Sequence, residues 1–586
     1  MWILISIGDK MHRKRIITYT LFIGILTGCG KSNTRSYIHP SKKDPAKQKK
    51  RLTSQNDIIE SSDSESFTNF NSARDWHLLD LSEDLSYGAS INKSYKSLNL
   101  EQNKEVIVAV IDSGVDINHE DLKNNIWVNK NEIPHNGIDD DNNGYIDDIY
   151  GWNFIGGSDG SHIEYDTLEI TRIYSRLLIK KKSVNGLSEE ENLVFNSLKG
   201  EVEHNISYYT PRLKEVTIDS VKLKELLAQS KELINKTKFN SRLEILSLVD
   251  NSSMPIKKLK FDLTKLWDKY PRGGFRQLKY LKKQYEIILN GHYNLNDDIR
   301  SRVVGDNPSD FNDNSYGNND VVGPDPSHGT HVAGTIAAER NNNLGMNGIA
   351  GNVKIMAIRA IPNGDERDKD VANAIYYAVN NGAEVINMSF GKSYSPYKDK
   401  VDEAVAYAAK KGVLIVHASG NSSKNIDISN NFPTAKRYFN GVLLQNNFEN
   451  WLEIGASTKE YNLNLAARFS NYGKESVNLF APGHKIFAPY PNDKYRSISG
   501  TSMATPVVSG VVALLLSEFP TMKPIEAKNI ILKTVSYEGE FEVRKPIPQK
   551  NVIDFQIPVV FKELSSSGGI VNAYNALKYS IKLSSE

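Results

Sequence analysis

The sequence predicts an α/β protein with a mostly parallel sheet, helices on both faces and a helical insertion. Short runs of consecutive apolar residues, without the alternation of a half-exposed strand, predict strands that are covered on both faces. These runs span residues 106–111, 354–361, 385–390, 413–418 and 452–456. Helical patterns lie between some of them, for example at 371–380 and 401–411. This alternation of strands and helices is typical of a parallel sheet with helices on both sides.

The composition sets limits on size, partners and crosslinks. A chain of 586 residues is longer than a typical single core, so we expect one large domain with additions, or two to three smaller ones. A net charge of +2 gives no reason to expect a nucleic-acid partner. Cys29 is the only cysteine, so no intramolecular disulfide can form. Stability must therefore come from packing, hydrogen bonds or bound ions.

Residues 1–28 are predicted to be a lipoprotein signal peptide. A basic stretch, residues 12–15, precedes an apolar stretch, residues 16–26, that is too short to span a bilayer. It ends in the sequence Leu-Thr-Gly-Cys at Cys29, which resembles the lipobox of bacterial lipoproteins. In that family the signal peptide is cleaved before the cysteine and the thiol carries lipid. The resemblance implies a lipid anchor on Cys29 that holds the protein to a bacterial membrane, in the cell envelope outside the cytoplasm.

Two segments interrupt the strand and helix pattern. Residues 29–75 are polar and cannot bury enough apolar surface to fold alone, so they are predicted to be a disordered tether. Residues 161–305 are rich in Lys, Glu, Leu and Asn and are predicted to be a mainly helical insertion of unknown role. One apolar helical face there consists of Leu223, Leu226, Leu227, Leu233 and Ile234. The insertion divides the remaining domain into residues 76–160 and 306–586.

Two candidate catalytic residues lie beside predicted strands and helices. Asp112 follows the first apolar run, and a carboxylate at the end of a buried strand is well placed for an active site. An aspartate before Gly114 could equally cap a turn. His328 precedes an apolar helical segment, and the ordinary pKa of histidine suits a general base. His328 and His331 could instead ligate a metal, but no nearby carboxylate or thiol completes a zinc site.

Ser502 is the third candidate. It follows Gly500 and precedes an apolar run, residues 507–516, that is long enough for a buried helix. Free backbone N–H groups and the helix dipole favour negative charge at a helix N-terminus. A serine there could attack a carbonyl and have the oxyanion stabilised by its own N–H group. Taken alone, the same sequence also fits an N-cap serine.

The three candidates occur in the order Asp112, His328, Ser502. This order is that of subtilisin and differs from those of chymotrypsin and the α/β-hydrolases. Ala504 also breaks the G-x-S-x-G motif of the hydrolases. All three segments resemble the signature segments of the subtilisin-like serine proteases (subtilases), and the resemblance covers residues 76–160 and 306–577. It implies a subtilisin-like three-layer fold.

The resemblance also implies a role for each residue. Ser502 is the nucleophile, His328 the general base and later acid, and Asp112 the carboxylate that fixes the imidazole tautomer. Asn421 matches the family's oxyanion residue. The residues that match the family's substrate-binding segments are Ser389, Phe390, Gly391, Ser419 and Gly420. An extended peptide would add to the first of these segments as a further strand.

Residues 139–148 resemble the first part of a calcium-binding loop. Oxygen-bearing side chains at positions 1, 3 and 5, a glycine at 6 and a carboxylate at 9 follow that pattern. The predicted ligands are Asp139, Asp141, Asn143, the Tyr145 carbonyl and Asp147. Tyr150 occupies the position of the usual bidentate glutamate, so another residue would have to complete the site. A solvated acidic turn is the alternative.

Together these features predict a lipid-anchored, subtilisin-like serine endopeptidase that acts on protein or peptide substrates, with structural Ca²⁺ and no nucleic-acid partner. Two alternatives stay open at this point. One is a non-catalytic or dual-function surface-binding protein that uses the insertion at 161–305. The other is a lipase-type hydrolase, which the order of the candidate triad disfavours.

Overall fold

The computed structural model describes residues 74–586, apart from 249–252, 297–298, 440–441, 445–446 and 548–557. The predicted signal peptide, Cys29 and nearly all of the predicted tether lie outside the described residues.

A nine-stranded sheet forms the centre of the described part of the chain. Its order is β12-β15-β9-β8-β5-β4-β1-β3-β2, and every pairing is parallel except that of β12 with β15. The strands are β1 (Val106–Asp112), β2 (Gly151–Asn153), β3 (Val353–Arg359), β4 (Val385–Met388), β5 (Leu414–Ala418), β6 (Tyr438–Phe439), β7 (Val442–Leu443), β8 (Trp451–Ser457), β9 (Leu479–Pro482), β10 (Ile486–Tyr490), β11 (Lys494–Ile498), β12 (Ser536–Tyr537), β13 (Glu542–Arg544), β14 (Pro558–Val560) and β15 (Gly569–Ile570). The pairs β6–β7, β10–β11 and β13–β14 form separate two-stranded sheets.

The helices lie on both faces of this sheet and in the insertion. They are α1 (Leu81–Asp84), α2 (Ile91–Ser97), α3 (Glu169–Lys181), α4 (Glu189–Ile234), α5 (Arg242–Leu246), α6 (Met254–Asp268), α7 (Gly274–Glu286), α8 (Ile299–Val303), α9 (Ser327–Ala337), α10 (Asp368–Asn380), α11 (Lys398–Lys410), α12 (Thr501–Glu518), α13 (Pro524–Lys533) and α14 (Ala573–Ser585). A π-helix, Ile287–His292, continues α7. Short 3₁₀-helices occur at Trp76–Leu78, Lys123–Asn125 and Phe561–Glu563.

Alternate residues of β1 face two different apolar layers. Val108 and Val110 pack in one cluster with residues of α9 and α12. Ala109 and Ile111 pack in another with residues of α10 and α11. Because both faces of each strand are covered, these strands carry continuous apolar sequences. The predicted α/β fold, with a mostly parallel sheet and helices on both faces, is confirmed.

Helix α12 runs through the core. It is the one helix among the described residues that is long and apolar enough to cross a membrane, with a mean hydropathy of 1.4. However, nearly all of its residues are buried inside the protein, and they pack with those of the central strands. It is therefore the core helix of the sheet domain.

The strand order places the end of β1 at a turning point of the chain. β3 pairs with one edge of β1 and β4 with the other, so the crossovers before and after β3 diverge there. Clefts that bind ligands form outside the carboxyl ends of strands at such points. Asp112 is the last residue of β1.

Residues 161–305 contain helices α3 to α8 and the π-helix. Two small apolar clusters stabilise them, one around Tyr174 and Phe195 and one around Leu223 and Leu263. The 46-residue helix α4 takes part in both. It begins with a capping box, in which the Ser188 hydroxyl accepts from the N–H of Glu191 and the Glu191 carboxylate accepts from the N–H of Ser188.

Candidate active site

The Asp112 carboxylate is held at the end of β1 by the turn that follows the strand. Its carboxylate accepts the Ser113 N–H at 2.8 Å, and its side chain is 4% exposed. Gly114 follows with φ of +133°, and a Cβ there would lie 2.1 Å from the carbonyl oxygen of Val322. Only glycine fits this close approach. The carboxylate therefore keeps one orientation at the sheet edge.

His328 lies in the first turn of α9 and contacts Asp112. Its Nδ1 lies 2.8 and 2.9 Å from the two carboxylate oxygens. A carboxylate only accepts, so Nδ1 carries the proton and Nε2 is left as the proton acceptor. Desolvation is the largest single influence and lowers the pKa of His328, but the charge of Asp112, its hydrogen bond and the charge of Asp325 together hold the pKa above its ordinary value. The ring is 38% exposed and so can meet a ligand.

His331 serves a different purpose. Its ring is fully buried, and Nε2 lies 3.0 and 3.1 Å from the carbonyl oxygens of Ile486 and Arg496. Burial lowers the pKa of His331 to about 4, so the ring is neutral. Because its Nε2 donates to backbone, His331 joins α9 to the β10–β11 hairpin and forms no metal pair with His328.

Ser502 lies in the first turn of α12, where the backbone N–H groups have no partner within the helix. Its hydroxyl donates to the Ser389 carbonyl oxygen at 2.9 Å, and the Ser389 hydroxyl donates to the Ser502 carbonyl oxygen at 3.0 Å. No hydrogen bond joins Ser502 to His328 in the described part of the chain. The Ser502 hydroxyl must give up its bond to the Ser389 carbonyl oxygen before it can donate to the imidazole.

The contact between Ser502 and Ser389 belongs to a buried network that the sequence did not indicate. The Asn387 side-chain NH₂ group donates to the Ser389 hydroxyl at 2.9 Å, and the Ser509 hydroxyl donates to Asn387 Oδ1 at 2.9 Å. All of these residues are buried. The network fixes the start of α12 against the end of β4.

Asn421 follows β5 and is oriented by the residue before Ser502. Its Oδ1 accepts the backbone N–H of Thr501 at 2.8 Å and the Thr501 hydroxyl at 3.0 Å. This fixes the amide so that its NH₂ group, which has no partner among the described residues, is free to donate to a ligand. Asn421 is exposed at the surface of a cavity that Ser502 also lines.

One cavity of about 600 Å³ joins these groups. Its lining includes Asp112, His328, Asn421, Ser502, Ser389, Phe390, Gly391 and Gly420. Ser419 is fully buried and does not line it, because its hydroxyl is directed to the Asn471 carbonyl oxygen at 3.3 Å. Gly420 has φ of +100°, and a Cβ there would lie 2.5 Å from Asn471 Nδ2. A larger residue at position 420 would therefore clash with Asn471 at this part of the cavity wall.

The acidic loop after residue 131 brings carboxylates together, although not in the set expected from the sequence. Oxygens of Glu132, Asp139 and Asp141 lie within 4.8 Å of one another. Glu132 was not among the expected ligands, because it lies seven residues before Asp139 and outside the loop pattern. The chain folds back so that Glu132 accepts the N–H groups of Asp141 and Asp147, each at 3.1 Å.

The other expected ligands of this loop are engaged within it. The Asp147 carboxylate accepts the N–H groups of Asn136 and Gly137 at 3.2 and 2.9 Å. The side-chain oxygen Oδ1 of Asn143 accepts the Tyr145 N–H at 2.8 Å. The Tyr145 ring is buried beside Trp152, Phe154 and Tyr377.

Comparison with known proteins assigns the chain to a family. Residues 103–552 match the model of the subtilase family, Peptidase S8. The chain therefore belongs to the subtilase family.

Two relatives are similar to parts of this chain. The thermophilic serine proteinase of Bacillus sp. (strain AK1) is 36% identical over 303 residues, which is 51% of this chain and 62% of the relative. Thermitase of Thermoactinomyces vulgaris is 36% identical over 242 residues, 41% of this chain and 77% of the relative. The chain thus spans less than two thirds of the Bacillus proteinase. A solved cold-adapted subtilisin-like serine proteinase is 28% identical, covering 42% of this chain and 74% of that one, with a TM-score of 0.32.

Proposed function

We propose that this chain is a serine endopeptidase that hydrolyses peptide bonds through an acyl-enzyme intermediate. The observation that carries this proposal is the Asp112–His328 contact at 2.8 Å at the edge of a cavity that Ser502 and Asn421 also line. The membership of the chain in the subtilase family supports it.

In the proposed mechanism, Asp112 holds the proton of His328 on Nδ1, which leaves Nε2 to act as the base. Ser502 rotates away from the Ser389 carbonyl oxygen and gives its proton to Nε2 as Oγ attacks the substrate carbonyl. The imidazolium then protonates the leaving amine. Asp112 stabilises the imidazolium, which is consistent with the raised pKa of His328.

Two donors would stabilise the oxyanion. One is the Asn421 NH₂ group, and the other is the backbone N–H of Ser502 at the start of α12. Donors fixed in advance stabilise the transition state because little reorganisation is needed when charge develops. The substrate would lie extended beside residues 389–391, where backbone groups after β4 are available for pairing.

Replacing Ser502 with alanine tests this proposal. We expect loss of cleavage of an unfolded protein substrate and loss of labelling by a fluorophosphonate. The Tm should fall only slightly, because a single hydrogen bond to the Ser389 carbonyl oxygen is lost. The Ser517→Ala variant, which removes a buried hydroxyl from the other end of the same helix, should keep its labelling. A wild-type protein that neither cleaves nor labels in the presence of calcium would contradict the proposed function.

We also propose that the acidic loop binds Ca²⁺ as a structural ion. The donor set of Glu132, Asp139 and Asp141 fits, since hard cations take several carboxylate oxygens at short reach. Bound calcium would neutralise three carboxylates that otherwise repel one another. A chelator should then lower the Tm of the wild type but not of Glu132→Gln, and an unchanged wild-type Tm would contradict the site.

Finally, we propose that Cys29 carries lipid and anchors the protein to a bacterial membrane outside the cytoplasm. The lipobox-like sequence before Cys29 supports this. The mature chain should begin at a diacylated Cys29 by mass spectrometry. Retention of residues 1–28 would contradict the anchor.

A further inference from the structure

Residues of the helical insertion line the same cavity as the candidate catalytic groups. They are Glu164, Lys283, Gln284 and Ile287. Lys283 and Gln284 lie in the last turn of α7, and Ile287 begins the π-helix. A peptide that fills this cavity of about 600 Å³ would therefore contact the insertion as well as the sheet domain.

Backbone hydrogen bonds fix this part of the insertion to the cleft. The Asn363 N–H donates to the Glu164 carbonyl oxygen at 2.9 Å, and the Asp166 N–H donates to the Asn363 carbonyl oxygen at 3.2 Å. The two segments are thus paired like short parallel strands. The Leu168 N–H also donates to the carbonyl oxygen of His292, in the π-helix, at 3.1 Å. The residues of the insertion that line the cavity are therefore held by the backbone as a fixed wall of the cleft.

A buried lysine ties the insertion to the predicted substrate-binding segment. Lys392 follows Gly391, and its side chain is 1% exposed. Its ammonium lies 3.3 Å from the Glu169 carboxylate at the start of α3 and 2.8 Å from the Asp368 carboxylate. Separating Lys392 from Glu169 would break a buried ion pair, and only Asp368 and Arg172 respectively would remain as their close partners. The insertion therefore keeps a fixed position relative to Gly391.

We propose that Lys283 and Gln284 form a substrate subsite, so that the insertion selects the side chain at one substrate position away from the scissile bond. This proposal rests on the peptidase function proposed above. The subsite accepts a polar or charged side chain.

The chemistry of the wall supports this preference. The Lys283 ammonium lies 3.4 Å from the Glu164 carboxylate, and the two side chains are 68% and 46% exposed. Exposed pairs of this kind are weak. The ion pair between Lys283 and Glu164 can therefore open, so that either side chain pairs with a substrate group of the opposite charge. Ile287 is 7% exposed and offers little apolar surface.

Cleavage-site profiling on a mixed peptide library tests the subsite. Lys283→Glu places two carboxylates side by side, so peptides with Lys or Arg at the affected position should gain, and those with Asp or Glu should lose, about fivefold in relative kcat/KM. Gln284→Lys should shift the same position in the opposite direction. Lys279→Glu makes the same charge change at an exposed site on α7 that does not line the cavity, so its profile should match that of the wild type.

Two results would overturn the subsite. One is a Lys283→Glu profile that matches the wild type at every position. The other is an equal change in Lys283→Glu and Lys279→Glu, which would indicate a general charge effect. Either result in a protein that cleaves peptides and is labelled by a fluorophosphonate contradicts only the subsite. A protein that does neither contradicts the proposed function itself.

Discussion

The sheet domain and the helical insertion are stabilised in different ways. Every residue of β8 is buried, and so are all but one of the 18 residues of α12. In the insertion, α4 buries only eight of its 46 residues. Asp112 and Ser502 thus lie on elements, β1 and α12, that are almost entirely buried. The insertion can tolerate change over most of its surface, and its contacts at the cleft are where a change should affect function.

Charged pairs show the same contrast. Where the insertion meets the sheet domain, Lys392 and Arg300 are almost fully buried among carboxylates. Away from it, the pair of Arg242 and Asp268 in the insertion is 46% exposed on both sides. Removing one member of a buried pair leaves an uncompensated charge, whereas an exposed pair adds little to stability. Variants of the two kinds of ion pair therefore show whether the buried contacts of the insertion stabilise the protein more than its exposed surface does.

The largest effect is expected at Asp112. The Asp112→Asn variant should lower kcat about 10⁴-fold, because the amide no longer fixes the His328 tautomer. Its Tm should change little.

Only neutral imidazole accepts a proton, so wild-type kcat/KM should rise with pH through the raised pKa of His328. Removing the charge of Asp112 should move this acid limb to lower pH. An unshifted limb, measured on a small peptide substrate, would argue against the pair.

The second effect concerns stability. Lys392→Met keeps the length of the side chain but leaves Asp368 without its cation, so the free energy of unfolding should fall by about 3–5 kcal/mol. Arg242→Met, the matched change at the exposed pair, should cost about 1 kcal/mol or less. Denaturant titration measures both. An equal fall in the free energy of unfolding of the two variants would mean that the buried pair of Lys392 stabilises the protein no more than the exposed pair of Arg242.

The sequence predicted the central strands to within one or two residues at most ends, because their apolar runs are continuous. It missed β2, β9, β12 and β15, since strands of two to four residues carry little pattern of their own. In the insertion, the predicted apolar face on α4 includes the buried Leu223 and Leu226, but Leu233 is 39% exposed. Contacts with other helices decide how far such a face is covered, and a single helical pattern does not contain them.

The site could be predicted only where a residue belongs to a local motif. Asp112, His328, Asn421 and Ser502 each lie in a short, characteristic segment. Supporting contacts across long separations could not be seen, such as that between Asn387 and Ser509, 122 residues apart. The lining of the cavity by Lys283 likewise depends on how the insertion packs against the cleft.

The smallest of the three effects is expected at Asn421, where the variants separate two roles of one side chain. The amide accepts from Thr501 through Oδ1 and offers its NH₂ group to the cavity. Asn421→Ala removes both and should lower kcat about 10²- to 10³-fold with little change in KM. Asn421→Asp keeps an acceptor for Thr501 but replaces the donor with a negative charge. If the donor stabilises the oxyanion, aspartate should be at least as harmful as alanine. If Asn421 only supports Thr501, aspartate should retain most of the activity, and the oxyanion role would then have to be abandoned.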